Sequence, residues 1–215
     1  MTDLPRHFFV TGTDTGVGKT TVTVHLMQRL VAQGLSVIGM KPVASGCEWI
    51  DGVWQNEDVR HLTAAANVAA PPEIINPYCF APHIAPHIAA AQAGVEIEFK
   101  VIQNAYVQLK TLADVVIVEG AGGLLVPLSP AQHTMVDLIQ SLRMPALMVV
   151  GMRLGCINHA LLTAHMLKQR GIPLCGWVAN YIDPQMSMPQ ENLQTLITYL
   201  QQPPLLEVPF QESLA

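Results

Sequence analysis

The stretch "VTGTDTGVGKTT", Val10 to Thr21, joins a glycine-rich run to Gly-Lys-Thr, the residue set that grips a polyphosphate. In such a loop the backbone N–H groups and the positive end of the next helix converge on the phosphates. Lys19 would reach the terminal phosphates and the Thr20 hydroxyl would bind Mg²⁺. The spacing is unusual: five residues separate Gly12 from Gly18, so the place of the customary first glycine falls on Thr13. Mg²⁺ prefers oxygen ligands and needs a carboxylate on a neighbouring strand. Glu119, closing the apolar run of "ADVVIVEGAGG", suits that role, and Gly120, Gly122 and Gly123 let the backbone come close to a phosphate.

Other residues carry two readings. Asp58 in "NED" could bind metal or cap a helix. Lys41 in "GMKPVASG" could neutralise a phosphate or substrate anion, or be a strand-end lysine with its amine in water. Ser45 and Gly46 fit a turn or a substrate-contacting loop, and Asn180 fits an adenine-reading carboxamide or a turn before Asp183-Pro184. His83 and His87 have the spacing of a helical metal pair, but Pro82 and Pro86 argue against one continuous helix there, and no metal is assigned to them.

These residues need rigid elements beneath them. Strands are expected at "HFFVTG" near the start, 36–43, 114–120, 146–152 and 175–182, each short and ended by Gly, Pro or Asn. Helices are expected from Thr20 to Ala32, stopped by Gly34, and from Asn158 to Arg170, stopped by Gly171 and Pro173. This alternation predicts an α/β fold with a mainly parallel sheet flanked by helices. Region 67–99 carries Pro71, Pro72, Pro77, Pro82 and Pro86 with little periodicity, and is expected to run as a long loop over the sheet's carboxyl edge.

Composition agrees. The 215 residues are 50% hydrophobic and 13% charged, which fits strands buried on both faces in a single domain spanning 1–215. The net charge of −5 and the lack of a Lys/Arg run argue against a nucleic-acid partner. The most apolar segment, "PALMVVGM", is too short to span a bilayer, and the amino terminus does not read as a leader, so no membrane role and a cytoplasmic location are expected. Cys47, Cys79, Cys156 and Cys175 form no CxxC pair and are expected to be reduced thiols.

Together, "GTDTGVGKT", "KPVASG", "NPYCFAP…APHIAAAQ", "VEGAGG", "VVGMRLGCINHALLTA" and "GWVAN" resemble, in order, the motifs of the dethiobiotin synthetase family. The resemblance runs from residue 8 to about 182 and implies a three-layer P-loop NTPase-like fold. It further implies an ATP-dependent ligase of biotin biosynthesis that carboxylates 7,8-diaminononanoate with CO2 or bicarbonate and closes the ring. It implies Mg²⁺ on Thr20, Asp58 and Glu119, with Lys41 and Lys19 as catalytic residues. The nucleotide would meet Thr15, Gly16, Val17, Gly18, Thr21, Gly120, Ala121, Gly122 and Asn180, with Val208, Pro209 and Phe210 along the adenine pocket; Glu212 is a further nucleotide candidate. Ser45 would touch the substrate. In a homodimer, Gly155, Cys156, Ile157 and Asn158 of one subunit would receive the carboxylate bound mainly by the other.

Two departures stand out. Gly16 occupies a place where many members carry Glu, and Asn192 stands where an aromatic residue is expected near the substrate carboxylate. The rival readings are a MinD/ParA-type ATPase switch, for which Asp14 stands in the place of the signature lysine, and a diverged paralogue acting on a related diamine. An amidoligase relative would need a glutaminase domain for which the length leaves no room.

Overall fold

The computed structural model describes residues 4–210, so Glu212 lies outside the described residues. Its strands are β1 (His7–Gly12), β2 (Val37–Met40), β3 (Val43–Ser45), β4 (Glu48–Ile50), β5 (Val53–Gln55), β6 (Tyr78–Phe80), β7 (Val115–Gly123), β8 (Ala146–Met152), β9 (Leu174–Tyr181) and β10 (Leu206–Val208). Its helices are α1 (Lys19–Ala32), α2 (Glu57–Ala65), α3 (Pro72–Ile75), α4 (Pro86–Ala93), α5 (Phe99–Leu112), α6 (Met135–Leu142), α7 (Cys156–Gln169) and α8 (Pro189–Leu200).

Six strands form one parallel sheet in the order β10-β9-β8-β1-β7-β2. Successive side chains of β1 go to opposite cores: Phe8 and Val10 pack with Val22 and Leu26 of α1, while Phe9 packs with Ile102 of α5 and Leu138 of α6. Burial on both faces is why these strands read as nearly unbroken apolar runs. A third cluster joins Met148 and Val150 of β8 and Trp177 of β9 to Leu193 and Leu196 of α8. β1 pairs with β7 on one side and β8 on the other. The chain leaves β1 through α1 to β2 on the β7 side and later crosses from β7 to β8 on the opposite side, so the carboxyl end of β1 opens onto the crevice where such sheets bind ligands. No helix among the described residues is long and apolar enough to cross a membrane.

The strand expected at 36–43 divides in two. β2 ends at Met40, and Pro42, which has no N–H for the ladder, starts a departure. The Lys41 N–H donates to the Ile75 carbonyl instead, and β3 pairs in parallel with β6 in a separate ribbon. Region 67–99 is likewise more ordered than expected, holding α3, β6 and α4. Pro72 and Pro86 sit at helix starts, where a missing N–H is harmless, so the prolines initiate elements that their density had argued against. A further hairpin, β4 with β5, turns at Asp51-Gly52, both with positive φ.

The cysteine expectation needs correction. Cys47 and Cys79 are joined in a disulfide with Cα atoms 6.1 Å apart, while Cys156 and Cys175 are free. Parallel pairing of β3 with β6 brings together residues 32 apart in sequence, a proximity that spacing alone could not reveal. Closing a loop of that length restricts the unfolded chain by about 3–4 kcal/mol. Burial pushes the Cys175 thiol up to about 11.

Helix α6 begins in a reciprocal cap. Asp137 accepts from the Thr134 N–H at 2.7 Å and the Thr134 hydroxyl at 2.8 Å, and also pairs with Arg170. Partial burial works to raise the Asp137 pKa, but the Thr134 bonds and the Arg170 charge outweigh it and hold the value below 3.8. A depressed folded-state pKa contributes stability above the unfolded value, which is lost as pH falls through the folded one. Asp137→Asn should therefore lower stability near pH 6 and narrow its deficit against the parent near pH 3, as read by urea melts.

Candidate nucleotide and substrate site

The phosphate loop follows directly from β1. Gly18 ends it in the left-handed region (φ 78°) and is the N-cap of α1, with no side chain capping the helix. The first-turn N–H groups are thus left for an anion. Gly18 also lies against the Asn180 carboxamide, whose Nδ2 donates to the Val17 carbonyl at 2.8 Å. Val17 itself is buried and packs toward Gly12 and Gly151, anchoring the loop to the sheet. Gly16 likewise has a positive φ (72°), but nothing lies within 4 Å of where a side chain would start. Glycine adopts this backbone without the strain a side chain would add.

Beside the loop is an oxygen-rich centre. Thr20 Oγ1 lies 2.8 Å from both Asp58 Oδ1 and Glu119 Oε1. One hydroxyl proton can satisfy only one carboxylate at a time, and the buried Glu119 Oε2 has no partner. Thr20, Asp58 and Glu119 fit a hard cation by this test, since Mg²⁺ takes one or two carboxylates and completes its shell with phosphate and water. Among the described residues no group of three or more His, Cys, Asp or Glu is placed to hold a metal ion by itself.

Asp58 is free for this centre because Asn56 caps α2 in its place, its side chain accepting from the Val59 N–H. The Asn56 Nδ2 also donates to the Ser45 carbonyl at 3.2 Å, tying the helix start to the β3 end. Asn56 was overlooked in the sequence, although an Asn two residues before an acid and ahead of an amphipathic run is a helix-start signal.

Lys41 lies at the centre of the charge arrangement. It is 3% exposed, with Nζ 2.6 Å from Glu119 Oε1 and 2.7 Å from Asp58 Oδ2. Burial opposes its charge, but the Glu119 and Asp58 carboxylates more than offset that, so its pKa lies above the ordinary lysine value. Asp58 shows the converse: burial works to raise its pKa, and Lys41 and Thr20 hold it below the usual value. Lys19 has burial and Lys41 against it, which Glu119, Asp58 and Asp14 only partly offset, and its pKa falls to about 8. Its Nζ donates to the Asp14 carbonyl at 3.1 Å. A bound polyanion would favour the charged form of this amine.

One cavity of about 1030 Å³ unites most of the expected residues: Thr15, Gly16, Gly18, Lys19, Thr20, Thr21, Lys41, Ser45, Asp58, Ala121, Gly122 and Val208 all line it. Glu119 and Gly120 lie just behind its wall, with Glu119 bonded to Thr20 and Gly120 packed on Phe9. Ser45 Oγ is buried without a partner. His83 joins the lining and His87 belongs to α4, so the two do not share a helix. Pro209 and Phe210 line a smaller neighbouring pocket with Tyr181. Gly155, Cys156, Ile157 and Asn158 start α7 and do not line the main cavity. Asn192 donates to the Met188 carbonyl on exposed α8.

Asp14 is committed to a cation of this chain. Its carboxylate accepts from Arg153 and from the Thr15 N–H. No local pattern points to that pairing, which spans 139 residues. The loop geometry makes a clear distinction between two glycines. Gly16→Ala should cost about 1–2 kcal/mol for left-handed backbone strain and keep ATP binding. Gly18→Ala adds a methyl that overlaps the Asn180 carboxamide and should abolish binding of a fluorescent ATP analogue.

A protein-family model described as "AAA domain" matches residues 6–215. The ATP-dependent dethiobiotin synthetase of Nitrosospira multiformis is 54% identical over 208 residues, 97% of this chain and 90% of the relative. That of Aromatoleum aromaticum is 49% identical over 205 residues, 95% and 91% respectively. Among solved structures, a ParA family ATPase from Chlorobium tepidum (TM-score 0.56, 14% identity, 97% of this chain and 86% of that one) and MinD from Aquifex aeolicus (0.58, 14%, 97% and 84%) share the fold. At that identity the likeness extends to the P-loop architecture alone, whereas the two synthetases match nearly end to end. The chain belongs to the dethiobiotin synthetase family.

Proposed function

We propose that this protein is an ATP-dependent cyclo-ligase that converts 7,8-diaminononanoate and CO2 to dethiobiotin, with ADP and phosphate as the other products. The observation that carries the reading is the meeting of Lys19, Lys41, Thr20, Asp58 and Ser45 on one cavity. One amine of the substrate captures CO2 as a carbamate, whose oxygen takes the γ-phosphoryl group of ATP. The second amine then attacks the carbamate carbon, and phosphate leaves as the ring closes. Anionic carbamate and triphosphate repel each other, and bringing them into line is most of the catalytic task.

In this reading the N–H groups of the phosphate loop and the amine of Lys19 hold the β- and γ-phosphates. Thr20, Asp58 and Glu119 would hold Mg²⁺, which would neutralise charge developing on the transferred group. Lys41 carries its charge between the carbamate and the γ-phosphate and stabilises both. Ser45 offers its unpartnered hydroxyl to the substrate. Thr15, Gly16, Thr21, Ala121 and Gly122 line the nucleotide side. Val208, Pro209 and Phe210, with Asn180, border the base, where Asn180 keeps its carboxamide oxygen available while its amide holds the loop.

The same reading takes 1–215 as one cytoplasmic domain that works as a homodimer. Leu154 is 93% exposed beside the Gly155 start of α7, an apolar projection suited to a subunit interface. There Gly155 to Asn158 would receive the substrate carboxylate from the partner's cavity. A monomer with full activity at working concentration would overturn this arrangement.

Incubation with ATP, Mg²⁺, bicarbonate and 7,8-diaminononanoate should yield dethiobiotin by mass spectrometry, with phosphate release that requires the diamine. ATP turnover indifferent to the diamine would sink the reading. Chelation of Mg²⁺ should stop phosphate release and its return should restore it. Lys41→Gln should lower kcat by about 100-fold or more while a fluorescent ATP analogue still binds. Because this change leaves two buried carboxylates without their cation, its fold is checked by thermal melting with Mg²⁺ and ATP present.

A further inference from the structure

The substrate-side wall of the cavity is held by an unusually slight element. β3 and β6 pair through three residues each, Val43 with Tyr78, Ala44 with Cys79 and Ser45 with Phe80. Past the ribbon, the Gly46 N–H donates to the Pro82 carbonyl and the Cys47 N–H to the Phe80 carbonyl. A two-stranded ribbon of this size is marginal by itself. Yet β3 itself supplies Ala44 and Ser45 on one side of the wall, and the segment after β6 supplies His83, Ile84, Ala85 and Pro86 on the other. The His83 ring lies so close to Gly46 that a methyl there would stand 3.2 Å from its Cγ. The covalent tie between the two sides is the Cys47–Cys79 bond.

We propose that Cys47 and Cys79 form a reversible thiol–disulfide site, exchanging with glutathione, that sets how firmly the substrate wall is ordered. The inference rests on the reading of this cavity as the diamine site. A disulfide in a cytosolic enzyme is held against a reducing pool and is ordinarily catalytic or redox-sensing. Access favours Cys79, which is half-buried, over Cys47, which is 4% exposed. In oxidation the Cys79 thiolate attacks one sulfur of glutathione disulfide and expels a glutathione thiolate. The Cys47 thiolate then attacks Cys79 Sγ in the mixed disulfide and expels the second. Two electrons pass from the protein sulfurs to glutathione disulfide, and the two thiol protons are carried away on two glutathione molecules. Reduction by glutathione retraces these steps. The remaining cysteines take no part: burial raises the pKa of both the Cys156 and Cys175 thiols and disfavours their thiolates.

With the bond closed, the wall is ordered before substrate arrives; with it open, binding must order the 80–86 loop as well. The effect falls on the diamine and spares ATP, because the phosphate loop stands on β1 and α1. Wild-type protein is equilibrated in glutathione buffers of graded ratio; one portion is acid-quenched, unfolded and alkylated, and its modified cysteines are counted by mass spectrometry. Unalkylated portions are assayed for KM of both substrates and for hydrogen exchange in 80–86. The expected outcome is a passage from two to four alkylated cysteines. Faster exchange in 80–86 and a diamine KM about two- to tenfold higher should accompany it, with the ATP KM unmoved. Cys79→Ser should behave as the reduced form in every buffer. A pair fixed in one state at all ratios, equal exchange and KM in both states, or redox dependence surviving in Cys79→Ser would each overturn the proposal. If neither state makes dethiobiotin, the functional reading fails, and the cysteine count with the exchange rates still decides the redox site.

Discussion

The structure depends on keeping a charged carboxylate where water cannot reach it. Glu119 is fully buried in the middle of β7, and an isolated ion there would be prohibitively costly. Lys41, brought in at the end of neighbouring β2, and the Thr20 hydroxyl, brought in by α1, make the position tolerable. The parallel sheet in that sense delivers three side chains, from α1, the end of β2 and β7, to one point. Such buried pairs contribute little net stability compared with apolar packing, so their value is positional. They leave a site with its charges already matched before any ligand enters, and an entering cation would exchange with Lys41 for the same carboxylate oxygens.

Around that point the elements divide the labour. The P-loop side is rigid by packing: Val17 lies in the core, Gly18 beneath Asn180, and β1 at the centre of the sheet. The substrate side stands on a separate short ribbon, a capped helix start at Asn56 and a covalent link. One cavity therefore has two walls of different mechanical character, one continuous with the hydrophobic core and one attached to it by a few polar and covalent ties.

Much of this was legible in the chain. β1, α1, β7 and β8 announce themselves because parallel strands buried on both faces must be apolar throughout. Lys19 and Thr20 fall at the start of α1, while Glu119, expected to close its strand, lies mid-strand because β7 runs on to Gly123. What escaped notice had non-local causes. Asp58 had competing local roles until Asn56 was seen to fill the cap. Cys47 and Cys79 meet only because β3 leaves the main sheet at Pro42 to pair with β6, and the proline-rich region conceals short elements that begin at its prolines. The Asp51-Gly52 turn was the exception, a local hairpin signal between apolar residues that could have been used.

The bond from Asn180 to the Val17 carbonyl has an evolutionary implication. It links the far end of β9 to the loop that receives phosphate, across β8. With Asn180 as the proposed base reader, a lineage that altered it to favour a different base would at the same moment loosen the loop. On that reading base choice and phosphate hold are inherited together, and drift toward another nucleotide would need a second, compensating change in the loop itself.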